Sequence, residues 1–202
     1  MAGFGAVASR VYGFFTRNSR TARSVVDHAG LEPGDRVLDV GCGAGSGVAH
    51  AAERTPVSSV VAVDPSPTFV AMVQRRVPAA DVRVAGAEDL PFDDGSFTVI
   101  WTVASMHHWD DRDRGLADLV RTLAPGGRLL IAERALKRPG HGITAEQARV
   151  VMDLLNRLGQ TDVRTATKRV GALRLTIIES TKPDEAGSAA AGDSASDGPA
   201  AD

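Results

Sequence analysis

Short apolar runs alternate with segments of helical character along most of the chain. The apolar runs are rich in β-branched residues and are typical of buried strands, at 37–40, 57–64, 82–85, 97–103 and 128–132. The segments between them carry capping residues or helical spacing, at 48–54, 67–77, 111–123 and 144–158. This alternation predicts a three-layer α/β sandwich with a mostly parallel sheet. Two further alternating runs, at 163–167 and 172–178, predict an antiparallel C-terminal hairpin and bring the sheet to seven strands.

The pattern also divides the chain into one domain and a tail. Residues 1–181 are predicted to form the domain, in which Ser24 caps a short helix that runs to Ala29 and ends at Gly30. Residues 182–202 consist mainly of Ala, Gly, Ser, Asp and Pro and contain no large apolar side chain. Such a segment buries too little surface to offset the entropy of ordering, so we expect it to be disordered.

Composition narrows the class of protein further. The net charge of −2 gives no field that would gather nucleic acid or an anionic membrane. No apolar run approaches membrane-spanning length, and no signal peptide is evident at the N-terminus. The single cysteine, Cys42, excludes a disulfide within the chain and suits a reducing compartment. We therefore expect a cytoplasmic protein that binds neither nucleic acid nor membranes, while its oligomeric state is not predicted.

The first apolar run ends in a turn with glycine at every second position. Asp39 precedes Gly41, and the turn continues to a helical segment. A strand, a glycine turn and a helix N-terminus together predict a nucleotide site. The dinucleotide fingerprint requires a glycine where Ser46 stands, and the lysine of a P-loop is missing, so both of those sites are excluded.

The motif D-x-G-x-G-x-G at 39–45 resembles the first motif of class I S-adenosylmethionine-dependent methyltransferases. Two further phrases resemble the same family, G-A-E-D-L-P-F at 86–92 and L-x-P-G-G-x-L-L-I at 123–131. The resemblance covers roughly residues 10–180. It implies a Rossmann-like sheet, S-adenosylmethionine as cofactor, and methyl transfer by direct displacement to an unidentified acceptor. It also implies that residues 1–23 fold over the cofactor as a lid, the alternative being an amphipathic helix packed on the core.

The resemblance assigns the cofactor contacts to one set of residues: Asp39, Gly41, Cys42, Gly43, Gly45, Asp64, Pro65, Ala87, Glu88 and Thr102. Asp64 ends the second apolar run, where a carboxylate can accept from both ribose hydroxyls. In the family an aspartate commonly receives the adenine amino group, but Gly86 occupies that position here. Glu88, Asp89, backbone or water would then take this role.

Adjacent histidines follow the fourth apolar run, at the predicted ligand-binding edge of the sheet. His107 and His108 are the candidate catalytic residues, as a general base; the alternative is a role in packing and hydrogen bonding. No metal site is expected, because neighbouring histidines on one loop chelate poorly and no cysteine or third histidine lies nearby in the sequence.

Two other functions are compatible with parts of the sequence. A non-catalytic S-adenosylmethionine-binding or regulatory protein is favoured by Gly86 and by the short segment between Glu133 and Thr144, which leaves little room for a substrate cap. A nicotinamide-dependent dehydrogenase would share Asp64 but fails at Ser46. No N-P-P-Y-type tetrapeptide follows the fourth apolar run, which disfavours DNA bases or glutamine as acceptors. A small-molecule acceptor is therefore expected.

Overall fold

The computed structural model describes residues 19–56 and 59–184. Within these residues one eight-stranded sheet forms the middle layer, from β1 Val37–Val40, β2 Val60–Asp64, β3 Asp81–Val84, β4 Phe97–Val103, β5 Leu123–Leu136, β6 Ile143–Thr144, β7 Thr161–Val170 and β8 Leu173–Thr181. Five helices pack on it, α1 Arg20–Ala29, α2 Ser46–Ala51, α3 Pro67–Arg76, α4 Arg112–Thr122 and α5 Ala145–Arg157. Most of the predicted lid, and residues 185–202 of the predicted tail, lie outside the described residues.

The strand order is β3-β2-β1-β4-β5-β8-β7, with the two-residue β6 paired to the end of β5. The first five strands of this order are parallel, whereas β8 pairs antiparallel with both β5 and β7. The predicted fold class is therefore confirmed, including the antiparallel C-terminal hairpin. The chain reverses direction across the sheet between β1 and β4, and at such a switch point the carboxyl ends of the strands open a cleft.

Two apolar layers hold the helices on the sheet. Helices α1, α2 and α3 cover one face, and α4 and α5 cover the other. Strand β1 shows why the sheet is covered on both sides, since Val37 belongs to the first layer and Leu38 and Val40 to the second. Trp101, the largest side chain with no exposed surface, lies in the layer beneath α1–α3. The cleft is thus built on a rigid central pair, β1 and β4.

Helix boundaries follow the capping residues, with one correction. Helix α1 begins earlier than predicted, because Ser19 and not Ser24 is the cap and its Oγ accepts from the backbone N–H of Ala22. Side chains also cap the two helices on the other face: the Asp111 carboxylate accepts from the first turn of α4, and Thr144 forms a capping box at α5. Gly30 ends α1 in a left-handed conformation, as expected.

The body of the fold extends one residue into the predicted tail. Lys182 continues the backbone ladder with Gly126 and Gly127, and its Nζ donates to carbonyl oxygens at the end of α4, those of Val120, Arg121 and Leu123. An ammonium is well placed there, because the last carbonyls of a helix lack intrahelical partners and carry partial negative charge. Among the described residues, no helix combines the length and the apolar character needed to span a membrane.

Candidate active site

The glycine turn lies between β1 and α2 and is fixed by backbone contacts to β2. The amides of Gly41 and Cys42 both donate to the carbonyl oxygen of Val63. Gly41 has a φ of +73°, and a Cβ there would overlap Ser105. The chain after β4 therefore packs directly on the turn, which explains why glycine is required at this position.

Gly43 lies on the open side of the same turn. Its φ is +52°, and a Cβ built on it would meet no atom within 4 Å. Its amide donates to Oδ2 of Asp64 at 2.9 Å. The turn thus presents bare backbone to the cleft, which fits a ligand that approaches closely.

Asp64 lies at the carboxyl end of β2 and joins the turn to the next helix. Besides Gly43, the amide of Ser66 donates to its carboxylate, to Oδ1 at 2.9 Å. The side chain is buried, and this burial raises its pKa while the two amides act in the opposite direction. Because both oxygens are fixed by backbone, the carboxylate is preorganised and each oxygen retains capacity for a further donor.

Asp39 is buried beneath the turn, on the face covered by α1–α3. Burial, aided by the negative charge of Asp64, raises the pKa of Asp39 to about 7. The indole N–H of Trp101 faces this carboxyl and offsets part of the effect, although its geometry falls short of a hydrogen bond. Asp39 is therefore an acid that changes its charge near neutral pH.

The chain after β4 makes a sharp turn before the two histidines. Ala104 has a φ of 51°, which is uncommon for a residue with a Cβ and often marks functional sites. Ser105 follows, and its Oγ accepts from the indole of Trp109. A single 3₁₀ turn, Met106–His108, then carries both histidines at the carboxyl edge of the sheet.

His107 is held by a buried carboxylate at the end of β5. Glu133 is 1% exposed, and its Oε2 lies 2.8 Å from Nδ1 of His107 while its Oε1 accepts from the backbone N–H of the same residue. A carboxylate accepts only, so the proton of the neutral imidazole is placed on Nδ1 and the lone pair on Nε2. The sequence assigns Glu133 no role, and its partner becomes evident only from the pairing of β4 with β5.

A third histidine, His141, lies beside His107 and His108 in the fold, although it is distant from them in the sequence. His141 follows β5 in the segment that leads to β6, and this segment folds back over the 3₁₀ turn. One ring nitrogen from each of His107, His108 and His141 lies within 4.8 Å of the other two. Burial lowers the pKa of His108, as do His107 and His141, whereas Glu133 acts in the opposite direction. Nothing in the sequence links His141 to residues more than thirty positions earlier, so the sequence alone does not predict that the three rings meet.

The remaining predicted cofactor residues occupy the same edge with different exposures. Cys42 and Ala87 are buried, and Pro65 is exposed where β2 ends. The Oε1 of Glu88 accepts from the amides of Asp110 and Asp111, so this oxygen ties the loop after β3 to the start of α4. The hydroxyl of Thr102 is buried in β4, and no hydrogen-bond partner exists for it among the described residues. Gly45 follows at the cap position of α2, against Val73.

A parallel sheet of this order, with an acidic residue before a glycine turn after β1 and an acid at the end of β2, is typical of class I S-adenosylmethionine-binding domains. Comparison with known families gives the same result. The family model described as a methyltransferase domain matches residues 38–131, from β1 to β5. Together with the fold, this match supports the resemblance to class I S-adenosylmethionine-dependent methyltransferases that the sequence motifs predicted.

Individual relatives show the range within this family. The chain is 35% identical over 144 residues to the 27-O-demethylrifamycin SV methyltransferase of Amycolatopsis mediterranei, covering 67% of this chain and 53% of that protein. It is 34% identical over 123 residues to the demethylmenaquinone methyltransferase of Thermus thermophilus, covering 59% and 56%. The chain thus spans about half the length of the curated relatives it matches.

The fold is also that of solved methyltransferases. A phosphoethanolamine N-methyltransferase of Haemonchus contortus, in complex with phosphomonomethylethanolamine and S-adenosylhomocysteine, superposes with a TM-score of 0.72. The alignment covers 91% of this chain and 58% of that one at 16% identity. The methyl acceptors that these three names give differ widely.

Proposed function

We propose that this protein transfers a methyl group from S-adenosylmethionine to a small-molecule acceptor by direct displacement. One observation carries the proposal: Gly41 packs directly on Ser105, so the glycine turn and the loop with His107 lie side by side at the carboxyl edge of the sheet. The names of the relatives, which act on small molecules, support the acceptor class. The acceptor itself is left to experiment.

The residues of the turn fit the cofactor. Gly43 offers close approach to backbone, and the fixed carboxylate of Asp64 suits the two ribose hydroxyls. Asp39 adds negative charge near a cationic ligand when it is ionised. The bound cofactor supplies an electrophilic methyl carbon on a positively charged sulfur. The protein contributes alignment and exclusion of water, for which proximity is worth up to about 7–11 kcal/mol.

The pair of Glu133 and His107 supports proton removal from the acceptor. Glu133 accepts a hydrogen bond from Nδ1–H of His107. Nε2 of His107 is therefore the atom that takes a proton from a hydroxyl or amine. The buried carboxylate also stabilises the imidazolium that forms. The same contact is compatible with the alternative, a role of His107 in packing and hydrogen bonding, and the rate of methyl transfer distinguishes the two.

The first test is turnover. Purified protein is incubated with S-adenosylmethionine and a library of hydroxylated and amino-bearing metabolites, and formation of S-adenosylhomocysteine is followed. We expect product with a subset of the library. Cofactor binding without product from any acceptor class would contradict the proposal and favour the binding or regulatory alternative.

The second test separates chemistry from binding by single-turnover transfer at saturating cofactor. His107→Ala should slow transfer by about 10²-fold or more, with partial recovery at higher pH, because a general base contributes roughly 10²–10⁴-fold. Affinity for S-adenosylhomocysteine should not change. His28→Ala is the matched control, since His28 also bonds to a carboxylate, that of Glu179, but lies outside the candidate site. Equal rates in both variants would show that His107 is not the base.

A further inference from the structure

We propose that His107, His108 and His141 form a binding site for a divalent transition-metal ion of the zinc class. The three residues come from two separate segments, the 3₁₀ turn after β4 and the connection between β5 and β6. The site goes beyond methyl transfer, because neither the cofactor nor direct displacement requires a metal.

The geometry brings the three rings to one point. Ring centroids lie 4.0 Å apart for His107 and His108, 5.6 Å for His107 and His141, and 5.7 Å for His108 and His141. A nitrogen from each ring lies within 4.8 Å of the others. In a tetrahedral zinc site with bonds of about 2.0–2.1 Å, two ligand nitrogens are roughly 3.3 Å apart. The nitrogens therefore need to approach one another by at most about 1.5 Å.

One ligand is fixed and two can adjust. Glu133 binds Nδ1 of His107 and leaves Nε2 free, which reproduces the carboxylate–histidine–metal arrangement that orients zinc ligands. His108 and His141 are exposed, so rotation of their side chains can bring the nitrogens together.

The donor set selects the kind of ion. Three imidazoles suit Zn²⁺, Co²⁺, Ni²⁺ and Cu²⁺, whereas Mg²⁺ and Ca²⁺ require oxygen ligands. A site with three histidines leaves a fourth position open for water or another ligand. Such an ion would lie at the mouth of the same cleft as the glycine turn.

Metal binding and proton uptake use the same atom. The lone pair on Nε2 of His107 can either bind the ion or take the acceptor proton, but not both. We therefore expect Zn²⁺ to inhibit methyl transfer, and this consequence rests on the proposed function. The metal site itself does not, and binding tests it independently.

The experiment uses full-length protein without a histidine tag, stripped of metal with a chelator. Co²⁺ is titrated and followed by its visible absorption, and Zn²⁺ is titrated by calorimetry. We expect one ion per chain, with absorption typical of nitrogen ligands at low coordination number. Mg²⁺ should give no signal. His141→Ala should weaken Zn²⁺ binding at least tenfold, whereas the matched control His28→Ala should not change it.

The results overturn the proposal in distinct ways. Zn²⁺ affinity equal in wild type and His141→Ala, or absence of saturable binding, would show that the cluster does not bind metal. Methyl transfer by the metal-free enzyme tests the proposed methyltransferase function independently of the metal site. If Zn²⁺ binds and fails to inhibit transfer, the site exists but His107 is not the base. His141→Ala should also abolish the inhibition of methyl transfer by Zn²⁺.

Discussion

At the scale of single residues, Asp39 couples the site to pH. Its pKa rises from an ordinary 3.8 to about 7 in the fold, so between these values the folded chain holds a proton that the unfolded chain has released. The free energy of unfolding must then fall as pH rises from about 4 to 7 and level off above. Ionisation of the buried Asp39 carboxyl lowers the free energy of unfolding by at most about 4 kcal/mol, since each pKa unit corresponds to about 1.4 kcal/mol.

The substitution Asp39→Asn tests this coupling. Removing the charge should raise the free energy of unfolding at pH 8 and flatten its dependence on pH between 4 and 7. Urea unfolding at a series of pH values measures both effects. Asp153→Asn, an exposed aspartate on α5, is the control and should leave the slope unchanged. A wild-type slope in Asp39→Asn would show that Asp39 is already ionised across this range.

The substitution Asp39→Asn, which should raise the free energy of unfolding, should also weaken cofactor binding. A cationic ligand favours the ionised carboxylate, so cofactor affinity of the wild type should increase with pH up to about 7. In Asp39→Asn this dependence should be weaker and the affinity lower. Calorimetry with S-adenosylmethionine at pH 6 and pH 8 measures the difference. Buried charge at a binding site is a usual reason for marginal stability.

At the scale of structural elements, two glycines of the turn are expected to have different roles, Gly41 in stability and Gly43 in cofactor binding. Gly41→Ala adds a Cβ that overlaps Ser105 in a left-handed conformation, so we expect a loss of about 2–5 kcal/mol of stability. Gly43→Ala meets open space and should lose only about 1–2 kcal/mol through its φ of +52°. Denaturant unfolding measures both values.

Cofactor affinity distinguishes Gly43 from Gly41 in a second way. The methyl group of Gly43→Ala would project into the cleft and should weaken S-adenosylhomocysteine binding at least tenfold, despite a nearly intact fold. Wild type should gain about 2.7 kcal/mol of stability at ligand concentrations of about 100 times the dissociation constant. Unchanged affinity in Gly43→Ala would place the cofactor away from this turn.

The elements were largely predictable because their signals are local. The strands that form β1 to β5, the caps at Asp111 and Thr144 and the glycine turn all follow from neighbouring residues in the sequence. The cap of α1 was wrong because Ser19 and Ser24 carry the same local signal. Glu133 and His141 lacked assigned roles because their contacts join β5 and its following segment to the turn after β4, and only the strand order brings these together.

At the scale of the whole molecule, the boundary of the folded body can be tested by truncation. Removing residues 185–202 should leave stability unchanged, because their composition provides no large apolar side chain to bury. Removing residues 182–202 should cost more, since the Lys182 ammonium donates to three carbonyls at the end of α4. We expect a difference of about 1–3 kcal/mol between the two truncations, measured by thermal and urea unfolding. Equal stability of the two would show that this contact contributes little.

The position of β8 has a consequence for synthesis on the ribosome. It is the last described strand in sequence, yet it lies inside the sheet between β5 and β7. A nascent chain that has been synthesised only as far as α5 therefore contains β1 to β5 but lacks β8. The edge of β5 that later pairs with β8 is then unpaired. An edge of that kind readily pairs with another chain. Productive folding must then await the final strand, so slow translation near residues 161–181 would lengthen exposure to aggregation, and chaperones that shield a strand edge would raise the yield.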